Sequence, residues 1–151
     1  MNLRERINAD LTAAMKAQQP ERLSTLRMVK AAVKNREIDL RRDLADAEVV
    51  QVLSTLIKQR KDSIEQFRGG GREDLAGKEE GEIKVIEEYL PAAASDDEIA
   101  AVVDEVVRAT GASSPKDMGR VMKEAMARFT GKVVDGKKVN AAVRQRLEPR
   151  A

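Results

Sequence analysis

Pro91-Ala-Ala-Ala-Ser-Asp-Asp-Glu98 is the stretch that divides this chain. Pro91 has no amide proton to continue a helical ladder, so a helix arriving from the N-terminal side stops there. Ser95-Asp-Asp-Glu98 has the pattern of a capping box, in which Ser95 and Glu98 satisfy each other's end of a first helical turn. The three alanines between stop and start are the expected hinge. Helices are therefore expected on both sides, with one module over residues 1–92 and another over 93–151.

Upstream of the hinge, Leu3, Ile7, Leu11 and Met15 step by four and draw one apolar face. Pro20 ends that helix and suits the first turn of the next. The second helix runs through Leu23, Leu26, Val29 and Val33 towards Ile38, with Arg22, Arg27, Lys30, Lys34 and Arg41 on its other face. A third is expected from near Asp46 through Val49, Leu53, Leu56, Ile57, Ile64 and Phe67, broken by Gly69-Gly-Gly71. Three glycines lose too much backbone entropy to remain helical. A fourth covers roughly 73–90, with Leu75, Ile83, Ile86 and Leu90 inward.

Downstream, Ile99, Val102, Val103, Val106 and Val107 share one side of a helix that stops at Gly111. Ser114 and Pro115 open the next as N-cap and first position, with Met118, Val121, Met122, Ala125, Met126 and Phe129 inward and Gly131 as its end. Asp135 caps the last, which buries Val139, Val143 and Leu147. No segment alternates with period two for long enough to be a strand. The expected fold class is all-α, a four-helix N-terminal bundle followed by a three-helix C-terminal bundle.

Composition narrows the chemistry. The hydrophobic fraction of 42% is built from aliphatic residues and methionine, with one Tyr, two Phe and no Trp, which favours helices with narrow apolar stripes. With no His, the commonest general base near neutral pH and the commonest transition-metal ligand are missing. With no Cys there is neither a disulfide framework nor thiolate chemistry. Ser24 and Thr25 sit in mid-helix with no histidine to activate them. The run Glu79, Glu80, Glu82, Glu87, Glu88 falls on helical spacings and reads as a charged exterior face or a partner contact. Gly69-Gly-Gly71 lacks the Lys-Ser/Thr and preceding strand of a phosphate loop. No catalytic residue, metal site or cofactor is expected. No apolar run approaches the roughly 20 residues that span a bilayer, and the N-terminus opens directly into a helical pattern, so the expected address is cytoplasmic.

The small net charge of +2 conceals segregation. Residues 1–44 carry a net +4, residues 45–110 a net −8 and residues 111–151 a net +6. In the last block, Lys116, Arg120 and Lys123 are spaced three and four apart, while Lys132, Lys137 and Lys138 flank the turn into the final helix. Lysines in a first helical turn work against the macrodipole, which makes an anion a natural partner. Lysine as a point charge and arginine as a fork both suit phosphate. Without aromatics for base stacking, contacts would fall on the RNA backbone and shape. Arg144 extends this surface, and Asn140 is a candidate for a sugar or base-edge contact. Gly119, costly in a helix, points to a close helix crossing or a close ligand.

Several runs together resemble the YqeY family along the full length: Arg22-Leu-Ser-Thr-Leu-Arg27, Lys58-Gln-Arg-Lys-Asp-Ser-Ile64, Arg72-Glu-Asp-Leu-Ala76, Glu82-Ile-Lys-Val-Ile86, Tyr89-Leu-Pro91, Asp117-Met-Gly-Arg-Val-Met122 and Asp135-Gly-Lys-Lys-Val-Asn140. The last two are the most specific, and they contain Gly119, Asp135, Gly136, Lys137 and Asn140. The resemblance implies the same four-plus-three helical division. It also implies kinship with the C-terminal tail of one component of the glutamine-dependent amidotransferase acting on mischarged Glu-tRNA and Asp-tRNA, a tail that handles tRNA. Carbon–nitrogen ligase activity with glutamine as amido donor attaches to the family through that kinship, although this chain has no room for the kinase-like cradle that does the ATP chemistry.

The expected function is thus a stand-alone module binding tRNA or another structured RNA. Its candidate contacts are Lys116, Gly119, Arg120, Lys123, Lys132, Lys137, Lys138, Asn140 and Arg144. The alternatives are an accessory component of a tRNA-dependent amidotransferase, and a protein-interaction adaptor using the acidic helix at 73–90.

Overall fold

A computed structural model describes residues 1–148. Seven helices account for most of them: α1 (Leu3–Lys16), α2 (Pro20–Leu40), α3 (Asp46–Gly69), α4 (Glu73–Glu87), α5 (Asp96–Thr110), α6 (Met118–Arg128) and α7 (Gly136–Leu147), with a 3₁₀ turn at Pro115–Asp117 before α6. The fold is all-α. Among the described residues the only β-type pairing is a single bridge between Ala93 and Val133. The helices gather into two compact units, Met1–Leu90 and a second beginning at Pro91.

In the first unit, side-chain pairs report the helix directions. Arg4 at the start of α1 reaches Glu37 near the end of α2, and Arg60 and Arg68 on α3 reach Glu82 and Glu73 on α4. Both neighbouring pairs are therefore antiparallel. The core is aliphatic: Ile7, Leu26, Val29, Val49, Leu53 and Ile86 lie almost wholly out of water. Tyr89 closes its end, donating its hydroxyl to Asp10 at 2.6 Å beneath the Arg6 guanidinium, which sits 4.7 Å from the ring centre. Burial first, and then the Asp10 carboxylate, push the Tyr89 phenol above its ordinary range.

Two inward positions differ from those expected. Met15 is 49% exposed and Ile38 62% exposed, while Ala14 and Glu37 are buried in their place. The stripes run Ile7–Ala14 and Leu26–Val29–Val33–Glu37, spacings of three, four and seven that follow 3.6 residues per turn. Glu37 enters because it is satisfied there. Leu44 N–H donates to its Oε2 at 2.9 Å and Arg4 Nη2 to its Oε1 at 3.2 Å. The Arg4 Nε stands 2.5 Å from Oε2 but is misaligned for a hydrogen bond, so that contact is electrostatic. Burial alone would raise the Glu37 carboxyl, but the Arg4 bond, the Leu44 amide and the charge of Arg4 together hold it below its usual value.

The helix ends follow local chemistry. Ala45 has no side-chain acceptor to cap α3, while Glu48 reaches back to accept the Ala45 N–H at 3.1 Å. A bidentate fork from Arg42 at 2.6 and 2.7 Å, then that amide, hold Glu48 down to about 2. The glycine triplet ends α3, with Gly71 at φ +74°.

In the second unit, Ser95 Oγ accepts the Glu98 N–H at 3.1 Å, and the Ser95 hydroxyl also lies 3.3 Å from the Glu98 carboxylate. Helix α5 ends at Gly111, whose φ of +68° needs glycine. Val103, Val106, Val121, Ala125, Val139 and Val143 form the core. Lys138 pairs with Asp96 and Arg146 with Asp104, both partners 42 positions apart, so α5 and α7 run parallel with α6 returning between them. Replacing Ser95 with alanine is expected to lower the stability of this unit by about 1 kcal/mol, measured as a lower urea midpoint by circular dichroism.

Candidate nucleic-acid interface

The final helix presents two unlike edges on either side of its buried Val139–Val143–Leu147 stripe. On the edge towards α5, Lys138 is held by Asp96 at 3.1 Å and Arg146 by Asp104 at 2.8 Å. The other edge carries Lys137, Asn140 and Arg144, at i, i+3 and i+7 of one face. Among the described residues no carboxylate lies within ion-pair distance of Lys137 or Arg144.

Helix α6 is divided in the same way. Arg128 pairs with Glu105 of α5 at 3.4 Å and with Glu124 at 3.5 Å, which fixes the α5-facing edge. The opposite edge holds Gly119, Met122, Lys123 and Met126. Since α6 packs on both α5 and α7, helical phase puts this edge on the side of α6 away from its α5 contacts and the Lys137–Asn140–Arg144 edge on the side of α7 away from its own. Met126, expected in the core, is 38% exposed. The Val121–Ala125–Phe129 line fills the core position and leaves Met126 one step outside it.

The candidate residues separate accordingly. Gly119 and Lys123 lie on one edge of α6, and Lys137, Asn140 and Arg144 on one edge of α7. Lys116 is exposed on the 3₁₀ turn, which itself packs on α7, and Lys132 is exposed in the turn between α6 and α7. Arg120 pairs with Asp117 at 3.3 Å instead of joining Lys123. Lys138 lies on the neutralised edge.

A close helix crossing does not explain Gly119, because a Cβ added there would meet nothing within 4 Å. The position is open to solvent. The helix starts are also already occupied. Asp135 accepts the Lys137 N–H at 2.9 Å, and before α6 the amides of Asp117 and Met118 go to the carbonyls of Ser114 and Pro115. Asp117 accepts the N–H groups of Ser113 at 3.0 Å and Ser114 at 3.4 Å. The Ser113 amide chiefly, with Ser114 and Arg120, holds its carboxyl below the usual range against the effect of burial.

No group of three metal-ligating side chains occurs among the described residues. No helix among them is long and apolar enough to cross a membrane. The exposed lysines and arginine can neutralise phosphates, and the open glycine admits a backbone to close range. The partners Asp96 and Asp104, which decide which edge of α7 is free, carry no signal in the sequence that links them to Lys138 and Arg146.

Comparison with known proteins places this geometry in a family. A relative in Kluyveromyces lactis, named altered inheritance of mitochondria protein 41, mitochondrial, is 36% identical over 146 residues, covering 93% of this chain and 77% of the relative. Proteins of the same name in Lachancea thermotolerans and Vanderwaltozyma polyspora are 39% and 42% identical over 112 and 85 residues. Those two matches cover 72% and 56% of this chain and 60% and 46% of the relatives, so the chain spans about half to three quarters of the curated proteins it matches. The family model for Yqey-like proteins matches residues 4–147, nearly the whole described chain, and the chain belongs to the YqeY-like family.

Proposed function

We propose that the chain is a binding module for structured RNA of the transfer-RNA type, gripping phosphates along α6 and α7. The observation that carries this reading is the contrast between the two edges of α7. One edge is neutralised by Asp96 and Asp104, and the other keeps Lys137 and Arg144 without carboxylate partners among the described residues. Exposed ion pairs contribute little to stability, so the pairing matters here mainly for where positive potential remains. Unpaired cations along α6 and α7 make a field that attracts a polyanion. In this reading Lys116 and Lys132 extend the contact from the turns that flank α6, Asn140 meets a sugar or base edge, and the module works in the cytoplasm. The mitochondrial designation belongs to the fungal relatives.

The adaptor reading of the acidic helix loses support from the same kind of contact. Glu79 and Glu82 face Arg60, Glu80 faces Arg68 and Glu88 faces Arg22, all within the first unit. These carboxylates are already paired within their own unit.

Binding of a labelled tRNA transcript by the purified chain, followed across a salt series, tests the proposal. Each neutralised phosphate contributes a slope of roughly −0.7 to −0.9 in log K against log salt, so five contacts give a slope near −4. A slope near zero, or binding confined to a co-purifying amidotransferase, would contradict it.

A further inference from the structure

One flank of α2, beside its buried line, carries Arg27, Lys30 and Lys34, with Arg41 at its C-terminal cap, and all four are exposed. The first three lie at i, i+3 and i+7 and form one stripe, and Arg41 lies about 21 Å along the axis from Arg27. Six other arginines of the same unit (Arg4, Arg22, Arg42, Arg60, Arg68 and Arg72) each hold a carboxylate, while Arg6 donates to the Glu88 carbonyl and Arg36, like the four here, has no carboxylate within ion-pair distance among the described residues. Among the described residues, none of the four on this stripe has one within ion-pair distance. Lys30 and Lys34 also wall an open depression of about 390 Å³ between α1 and α2, with Ile7 and Val33 in its lining. Arg4 and Glu37, which border it too, neutralise each other, so the uncompensated charge there is that of the two lysines.

We propose that this stripe is a second phosphate-binding surface, taking the backbone of a structured RNA. It rests on the RNA reading of the α6 and α7 cations only for the identity of the polyanion. The stripe and its charge stand independently of them. An acidic protein is the weaker candidate, because stable protein interfaces need a cluster of large apolar or aromatic anchors. Ile38 is the only strongly exposed large hydrophobic residue on α2.

The full chain carrying R27A, K30A, K34A and R41A is compared with the unaltered chain and with a K123A/K137A/R144A chain, using the labelled tRNA transcript and circular dichroism. Alanine is the best helix former for the three helical positions, and Arg41 serves the cap through its backbone, so helicity is expected to persist. Loss of four contacts should flatten the salt slope by about 3 and weaken binding at least tenfold at low salt. Unchanged affinity and slope with intact helicity would overturn the proposal. So would poly-glutamate binding as tightly as RNA and being lost in the same variant, since the surface would then be one for acidic peptides. If only the K123A/K137A/R144A variant loses binding, the α2 surface is refuted and the α6–α7 reading stands. If only the α2 variant loses it, the α6–α7 reading fails and this one stands.

Discussion

Replacing Glu37 with alanine is expected to destabilise the Met1–Leu90 unit by about 2–3 kcal/mol. That lies below the roughly 3–5 kcal/mol typical of breaking a fully buried pair, because Arg4 keeps some contact with water. The carboxylate is only 6% exposed, whereas Arg4 is 23% exposed and can turn towards Asp43, 3.5 Å away. The variant also leaves the buried Leu44 N–H without its acceptor. Glutamine at this position should cost less, because it can still accept that bond. Tyr89 is the sole tyrosine and the chain has no tryptophan, so intrinsic fluorescence during urea unfolding follows this unit alone.

The acid dependence has a fixed sign. The folded Glu37 carboxyl is held below its unfolded value. Its stabilising contribution is therefore complete above the ordinary glutamate pKa of about 4.3 and is lost as pH falls through the lower folded value. The E37Q protein should lack this part of the decline. A parallel fall in both proteins below pH 4 would show that Glu37 carries none of it.

Most of the fold was legible because its signals are local. Pro20, the glycine triplet at 69–71, Ser95 with Glu98, Gly111 and Asp135 each act within one turn of chain, and each sits at a helix end. The inward faces were less legible at their margins. Counting apolar residues selects Ile38 and Met15, but the helical period carries the Val33 line to Glu37 and the Ile7 line to Ala14. A buried glutamate becomes intelligible only once Arg4 and the Leu44 amide are known to meet it.

The candidate site was legible as a composition and not as a geometry. Lys137 and Lys138 are adjacent and chemically identical, and nothing in their neighbourhood of sequence tells them apart. Pairing with Asp96, 42 positions away, separates them, and the same separation joins Arg146 to Asp104. Arg120 looked like a partner of Lys123 by spacing, yet Asp117 three residues earlier takes it. Gly119 invited a packing explanation that the open space around it removes.

A large effect on binding is expected from the cations along α6 and α7. Removing Lys123, Lys137 and Arg144 together should delete three phosphate contacts, flattening the salt slope by about 2–2.7 and weakening low-salt affinity by one to two orders of magnitude. The loss should be similar across RNA sequences, since phosphates position the RNA without specifying its bases. All three side chains are exposed, so the unit should retain its helicity.

The most direct measurement sets this triple variant against K138A/R146A, which removes cations of the same helix from the edge bound to Asp96 and Asp104. Affinity for a labelled tRNA transcript is read for both across one salt series, with circular dichroism confirming the fold. The account predicts that the K123A/K137A/R144A protein loses most of its binding and flattens its slope, while the K138A/R146A protein stays close to the unaltered chain. Equal losses per cation removed from the two edges, or no loss from either, would contradict it.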